Sequence, residues 1–217
     1  MTKNRKRVGV LISGRGSNMR ALVEAARAPD FPAEIGVVLS NVPDVAGLDF
    51  ARAEGITTAV VAHKSFPDRE SFERAMHETL IGHGAELICL AGFMRILTPW
   101  FVSQWRDRML NIHPALLPSY RGLHTHERAL AEGVKIHGAT VHFVAPEMDA
   151  GPIIVQAAVP VLRDDTPEAL AARVLAQEHR IYPLALKLVA SGAARVEGAR
   201  VLVEGEPPAP DALLWPQ

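Results

Sequence analysis

Met109-Leu110-Asn111-Ile112-His113-Pro114-Ala115-Leu116-Leu117-Pro118 begins apolar and compact, as a strand entering a core does. Pro114 has no N–H to continue a ladder and biases His113 towards an extended backbone, so the strand stops at His113. Asn111 and His113 lie two apart, so on a strand their side chains leave the same face. A carboxamide and an imidazole then stand side by side at the carboxyl end of a central strand, where open α/β sheets place their ligand crevices. An imidazole can pass a proton near neutral pH, and a carboxamide can donate to a developing oxyanion. Taken alone, the pair reads equally as two polar groups satisfying a loop backbone.

Outward from this run, strand-like and helix-like stretches alternate. Residues 7–12, 35–39, 57–62, 86–90 and 109–113 read as strands. Between them, residues 18–27, 45–54, 69–81 and 99–105 read as helices, the third capped by Asp68. Successive β-then-α units imply a parallel sheet with right-handed crossovers. The pattern then changes. Residues 139–144 and 153–161 read as an antiparallel hairpin added to that sheet. Residues 166–190 read as a long helix that Pro183 kinks or interrupts, and 195–197 with 200–203 as a small hairpin before a Pro-rich end from Pro207. The expected architecture is a single Rossmann-like α/β domain: a mostly parallel twisted sheet, helices on both faces and an antiparallel C-terminal extension.

The 217 residues are 48% hydrophobic with a net charge of -1, enough apolar material for one large core and without the basic footprint of a nucleic-acid binder. The basic lead Lys3, Arg5, Lys6, Arg7 is short, and no stretch approaches the roughly 20 apolar residues of a membrane span. One cysteine, Cys89, permits neither an intramolecular disulfide nor a thiolate cluster. A cytoplasmic protein that touches no membrane is the expectation.

Ser13-Gly14-Arg15-Gly16-Ser17-Asn18 forms the first βα turn. Its glycines let the backbone approach an anion, and the following helix points free N–H groups at it. Met19 stands where a dinucleotide fingerprint needs a third glycine, Ser40 and Asn41 stand where its ribose-binding acid belongs, and the Walker A lysine is missing. A phosphate monoester fits better; a plain tight turn is the alternative. Gly92 to Leu97 could wall a pocket for a flat ring or simply pack the core. His124, His126 and His137 have neither a thiolate nor an HExxH pattern beside them, so structural or substrate-contact roles are favoured and no metal is expected. Asp149, in the hairpin connection, could fold back to His113, where a carboxylate favours the imidazolium. Glu178 reads most simply as a surface residue.

Taken in order, LISGRGSN, LAGFMRIL, NIHPALLP, GLHTH, HGATVHFV, MDAGPII and AQEHRIYP resemble the phosphoribosylglycinamide formyltransferases, from Leu11 to Pro183. The resemblance implies transfer of a formyl group from 10-formyltetrahydrofolate, a co-substrate, to the amine of glycinamide ribonucleotide in purine synthesis, with no metal and no nucleic acid. It implies a catalytic trio of Asn111, His113 and Asp149. It implies a substrate phosphate on Gly16, Ser17 and Asn18, and a further substrate contact at Glu178. The folate site it implies comprises Arg69, Met94, Arg95, Ile96, Leu97 and Asn111, with the loop around Glu147 and Met148. Within one domain over 1–217, residues 1–113 would form the phosphate-binding half, 114–190 the folate and catalytic half, and 191–217 a hairpin and tail; the assembly would be a monomer or homodimer.

Arg15, Ala115, Arg121 and Ala145-Pro146 depart from the common pattern, and the two arginines stand where they could strengthen phosphate binding or only line its rim. The nearest rival is formyltetrahydrofolate deformylase, with water as acceptor, which usually carries a regulatory domain ahead of the catalytic part. Methionyl-tRNA formyltransferase shares the Asn-x-His feature but needs an added C-terminal domain. A redox Rossmann protein that binds a nicotinamide dinucleotide is the rival of a different class.

Overall fold

The computed structural model describes residues 5–205; Lys3 and the Pro-rich stretch from Pro207 lie outside them. The chain runs β1 (Lys6–Ile12), α1 (Ser17–Ala26), β2 (Ala33–Ser40), α2 (Ala46–Ala53), β3 (Thr58–Val60), α3 (Arg69–Gly82), β4 (Leu87–Leu90), α4 (Pro99–Gln104) and β5 (Met109–His113). It continues through α5 (Thr125–Ala131), β6 (Ile136–Phe143), β7 (Ile153–Pro160), α6 (Pro167–Ser191), β8 (Ala194–Glu197) and β9 (Arg200–Val203). Seven strands form one sheet in the order β3-β2-β1-β4-β5-β6-β7, parallel from β3 to β5, with β6 and β7 antiparallel; β8 and β9 pair separately.

The sheet is built by alternation. Val8, Val10 and Ile12 of β1 pack into a core with Met19 and Leu22 of α1, Leu48 of α2 and Val174, Tyr182 and Leu186 of α6. Leu11 enters the opposite core with Phe72, Met76 and Leu80 of α3 and Phe101 of α4. Helices therefore cover both faces. Strand order reverses at β1, with β2 on one side and β4 on the other, and the crevice at such a switch point opens at the carboxyl ends of the strands. The Tyr182 hydroxyl, buried under β4 and β5, lies 2.9 Å from the Leu90 carbonyl and 3.1 Å from the Leu110 carbonyl, tying α6 to that edge.

Two local expectations change, and one helix forms that the sequence pattern does not announce. The stretch 57–62 pairs regularly only over Thr58–Val60, then passes into a 3-10 turn at His63–Ser65, because β3 is the sheet's outermost strand on that side. Helix α6 runs through Pro183 without a break. Ile181 and Tyr182 before it and Ala185 and Leu186 after it are buried, and that packing outweighs the roughly 3 kcal/mol cost of an interior proline. Helix α5 has no apolar stripe to announce it; Arg128 closes it onto the preceding loop by donating to the Arg121 carbonyl at 2.7 Å.

Candidate active site

The loop after β1, the end of β5 beside β6, the β6–β7 connection and helix α6 build the site. The first follows β1. Gly16 caps α1 with φ 68, a left-handed backbone that glycine adopts without a steric cost. Arg20 is the first residue whose N–H returns to Gly16, at 3.0 Å, so the helix itself uses none of the N–H groups ahead of it. Asn18, one residue into α1, is buried, and its Nδ2 donates to Glu178 Oε2 of α6 at 2.6 Å. Glu178 is therefore not a surface residue. Burial pushes its carboxyl up from the ordinary range, opposed by the Asn18 bond and the His113 charge.

The second element is the end of β5 beside β6. Register places Asn111 opposite His142 and His113 opposite Thr140, and directly opposed residues share a face. The His142 Nδ1 lies 2.8 Å from the Phe143 carbonyl, which can only accept, so Nδ1 carries the proton. Burial lowers the His142 pKa, keeping the ring neutral and leaving Nε2 with a lone pair. That lone pair accepts from Asn111 Nδ2 at 3.2 Å. One amide hydrogen of Asn111 is thereby held, and its orientation with it.

The third is the connection between β6 and β7. It folds back because Gly151 passes against Phe143: a Cβ there would lie 1.8 Å from the Phe143 carbonyl oxygen. The Phe143 N–H, donating to the Pro152 carbonyl at 2.9 Å, closes the loop. Asp149, at φ 52, is thus turned inward. Its Oδ2 accepts from the Gly122 N–H at 2.9 Å and lies 3.5 Å from His113 Nδ1; its Oδ1 lies 3.9 Å from His142 Nε2. The other ring nitrogen of His113 sits 2.9 Å from the Tyr120 carbonyl. His113 thus faces an oxygen acceptor at each nitrogen, the arrangement that the two N–H groups of an imidazolium complete.

These groups share one cleft of about 1010 Å³, lined among others by Asn18, Glu178, Asn111, His113, His142 and Asp149. Its far wall is Phe93 to Leu97, Val144 and Met148. Asn18, Asn111, His113, Asp149, Glu178, Met94, Arg95, Ile96, Leu97 and Met148 thus line the same cleft. Gly16 and Ser17 sit at the start of α1, outside the lining. Arg69, exposed as the first residue of α3, does not reach the cleft, and Glu147 turns to the rim to pair with Arg121. Arg121 is thereby occupied, while Ala115 is fully buried. His142, the Tyr120 carbonyl and the Gly122 N–H were not singled out in the sequence. Only the cross-strand register places the first, and only loop return places the other two.

Of the three other histidines noted in the sequence, His124 is exposed and lies 3.4 Å from Glu127 Oε1, while the other two pack together. His126 and His137 meet edge to face with ring centroids 5.3 Å apart, and Tyr120 covers the other side of His137 at 5.6 Å. Among the described residues no group of three or more His, Cys, Asp or Glu is placed to hold a metal ion, and no helix is long and apolar enough to cross a membrane. Burial, with His126 and His113 nearby, pushes His137 down to about 4. The unfolded ring titrates near 6.5, so between those values the unfolded chain binds more protons, and stability, full at neutral pH, falls as pH drops through that window. His137 alone contributes a loss of about 2 kcal/mol from pH 7 to pH 5. Urea unfolding at both pH values checks it: the His137→Phe variant loses less stability than the unsubstituted protein.

The formyl transferase family model matches residues 6–186. The trifunctional purine biosynthetic protein adenosine-3 of Bos taurus is 53% identical over 196 residues, 90% of this chain but 19% of that protein, so the chain spans about a fifth of such multifunctional relatives. The phosphoribosylglycinamide formyltransferase of Escherichia coli K12 is 43% identical over 197 residues, covering 91% of this chain and 93% of that enzyme. The glycinamide ribonucleotide transformylase 1 of Symbiobacterium toebii superposes with a TM-score of 0.89 at 45% identity, over 92% of this chain and 94% of that one. With the family model matched over residues 6–186 and a relative covered over 93% of its own length, the chain belongs to the formyl transferase family, among its phosphoribosylglycinamide formyltransferases.

Proposed function

We propose that this chain transfers the formyl group of 10-formyltetrahydrofolate to the amine of glycinamide ribonucleotide, a step of purine biosynthesis. One observation carries the reading: a single cleft joins the Asn18–Glu178 end, beside a free helix N-terminus, to an apolar wall at Phe93–Leu97, with Asn111, His113 and Asp149 between them. At about 1010 Å³ it stands at the upper end of small-molecule sites, as two ligands meeting end to end require. Phe93, Met94, Ile96, Leu97, Val144 and Met148 suit a flat ring with a polar edge. Gly16, Ser17 and Asn18 present the N–H groups that suit a phosphate ester, which lies at the end away from the ring.

The amine nitrogen attacks the formyl carbon, forming the new C–N bond and a tetrahedral intermediate. The imidazolium of His113, with its Nε2–H turned from the Tyr120 carbonyl to the substrate, and the free N–H of the Asn111 amide stabilise the developing oxyanion, each good donor worth about 3 kcal/mol. His142 positions Asn111, and Asp149 holds His113. As the intermediate collapses, the bond to the folate nitrogen breaks, His113 gives that nitrogen its own ring proton, and the proton shed by the attacking amine restores the imidazolium. No covalent enzyme intermediate is needed. Residues 1–217 act as one catalytic domain, whose cleft crosses from residues 1–113 into 114–190, since Phe93–Leu97 and the Asn111–His113 pair come from the first part and Val144, Met148, Asp149 and Glu178 from the second.

The test is an absorbance assay of a 10-formyl folate with and without glycinamide ribonucleotide. Deformylated folate is expected only when the nucleotide is present, in equal amount to formylated nucleotide. Loss of formyl donor at the same rate without the nucleotide would make the chain a hydrolase with water as acceptor.

A further inference from the structure

The loop proposed to hold the phosphate and the loop proposed to hold the folate ring are joined through one side chain. Ser13 is the last residue before Gly14 in the turn after β1. Its N–H donates to the Gly92 carbonyl at 3.2 Å, and its Oγ accepts from the Met94 N–H at 2.8 Å. The hydroxyl hydrogen is committed elsewhere: it donates to Asn41 Oδ1 at 2.6 Å. Asn41 is itself buried and held at the end of β2, with its Nδ2 3.1 Å and its carbonyl 2.9 Å from His63 Nδ1. The polarity of the chain Met94 N–H to Ser13 to Asn41 is therefore set, since Asn41 Oδ1 can only accept.

On the ligand side, residues 91–98 belong to no helix or strand, and Met94 and Ile96 are largely exposed where they line the cleft. Such a segment takes its shape from its anchors. At its far end the Thr98 N–H donates to Glu73 Oε1 at 2.9 Å, and Glu73 is fully buried in α3. At its near end the anchor is Ser13, a member of the phosphate loop. The Gly14 carbonyl, next in that loop, accepts from the Gly47 N–H at 3.2 Å, so the turn is braced against α2 as well.

We infer that Ser13 is a positioning residue that couples the two ligand sites: an anion seated on Gly16, Ser17 and Asn18 immobilises the turn, and through Ser13 Oγ the Met94 backbone, so that each ligand is bound more tightly when the other is present. This rests on the reading under Proposed function. Coupling of this kind is reciprocal and is measured as the factor by which one ligand changes the dissociation constant of the other.

The experiment is calorimetric titration with a non-reactive folate, with and without saturating glycinamide ribonucleotide, for the unsubstituted protein, Ser13→Ala and Ser13→Thr. The nucleotide is expected to tighten folate binding about fivefold in the unsubstituted protein, with the factor near one in Ser13→Ala and regained in Ser13→Thr, which keeps the hydroxyl. A merely structural serine would weaken both ligands in Ser13→Ala and leave the factor unchanged; that result overturns the inference, as does a factor of one in the unsubstituted protein. Absence of binding by either ligand to the unsubstituted protein overturns the functional reading instead. Should Ser13→Ala not fold, hydrogen exchange of the Met94 amide in the unsubstituted protein decides: the nucleotide alone is expected to slow it several-fold, and an unchanged rate sinks the coupling.

Discussion

Asp149→Asn is expected to lower kcat by about 10²–10⁴-fold, the range for loss of a positioned acid–base partner, with little change in thermal stability. The carboxylate is almost wholly enclosed, 11% exposed, and its two oxygens face the Gly122 N–H, the His113 ring and the His142 ring. Asparagine matches its shape and can still accept from Gly122. Its oxygen, at the Oδ2 position, still faces His113 as well, but it carries no charge to hold an imidazolium, and its NH2 replaces the oxygen that faces His142. The imidazolium then loses the only carboxylate within ion-pair distance of it among the described residues. Steady-state kinetics with saturating ligands, alongside a melting curve, check this; near-native turnover in a folded variant would remove Asp149 from the mechanism. His113→Ala in the same assay should fall at least as far, since both oxyanion contact and proton transfer are proposed for that ring.

Gly151→Ala carries the second large effect and acts at a distance. The added Cβ would stand 1.8 Å from the Phe143 oxygen, 2.8 Å from the Phe143 carbonyl carbon and 3.3 Å from the Ala145 nitrogen. All three are backbone atoms, two at the last residue of β6 and one just beyond it, so no side chain can swing aside and the return loop must move. Overpacking of this kind costs about 1–3 kcal/mol. The loop that moves carries Asp149 two residues earlier, and displacing a catalytic group by about 1 Å costs about 10²-fold in rate. Urea unfolding and kcat measured on the same preparation should therefore fall together. A variant that loses stability but keeps its turnover would mean that Asp149 is held independently of the loop closure.

Met109 to His113 was legible as a strand because the cues are local: an apolar run, a proline after it and period-two alternation. The same logic placed the turn at Gly14–Gly16, since a left-handed Gly16 before a helix is a property of a few consecutive residues. It also placed the sheet, because each β-then-α unit announces itself through its own periodicity. The resemblance carried Asp149 and Glu178, which spacing could not: one reads as a solvated loop acid and the other as a surface residue of a helix.

The residues the sequence did not single out depend on contacts between segments far apart in the chain. His142 acts on Asn111 across 31 positions because an antiparallel register sets them opposite, and nothing in either segment states that register. Asn18 and Glu178 meet across 160 positions because α1 and α6 pack on the same face of the sheet. Arg69 and Glu147 turned away from the cleft for the converse reason: exposed side chains go to the nearest solvent or ion partner, which here is Arg121 for Glu147. By itself the sequence determined which segments become strands, helices and tight turns, since backbone preference and hydrophobic period are short-range. Tertiary structure alone decided which polar groups share a cleft, because that follows from register and packing between elements that carry no record of each other.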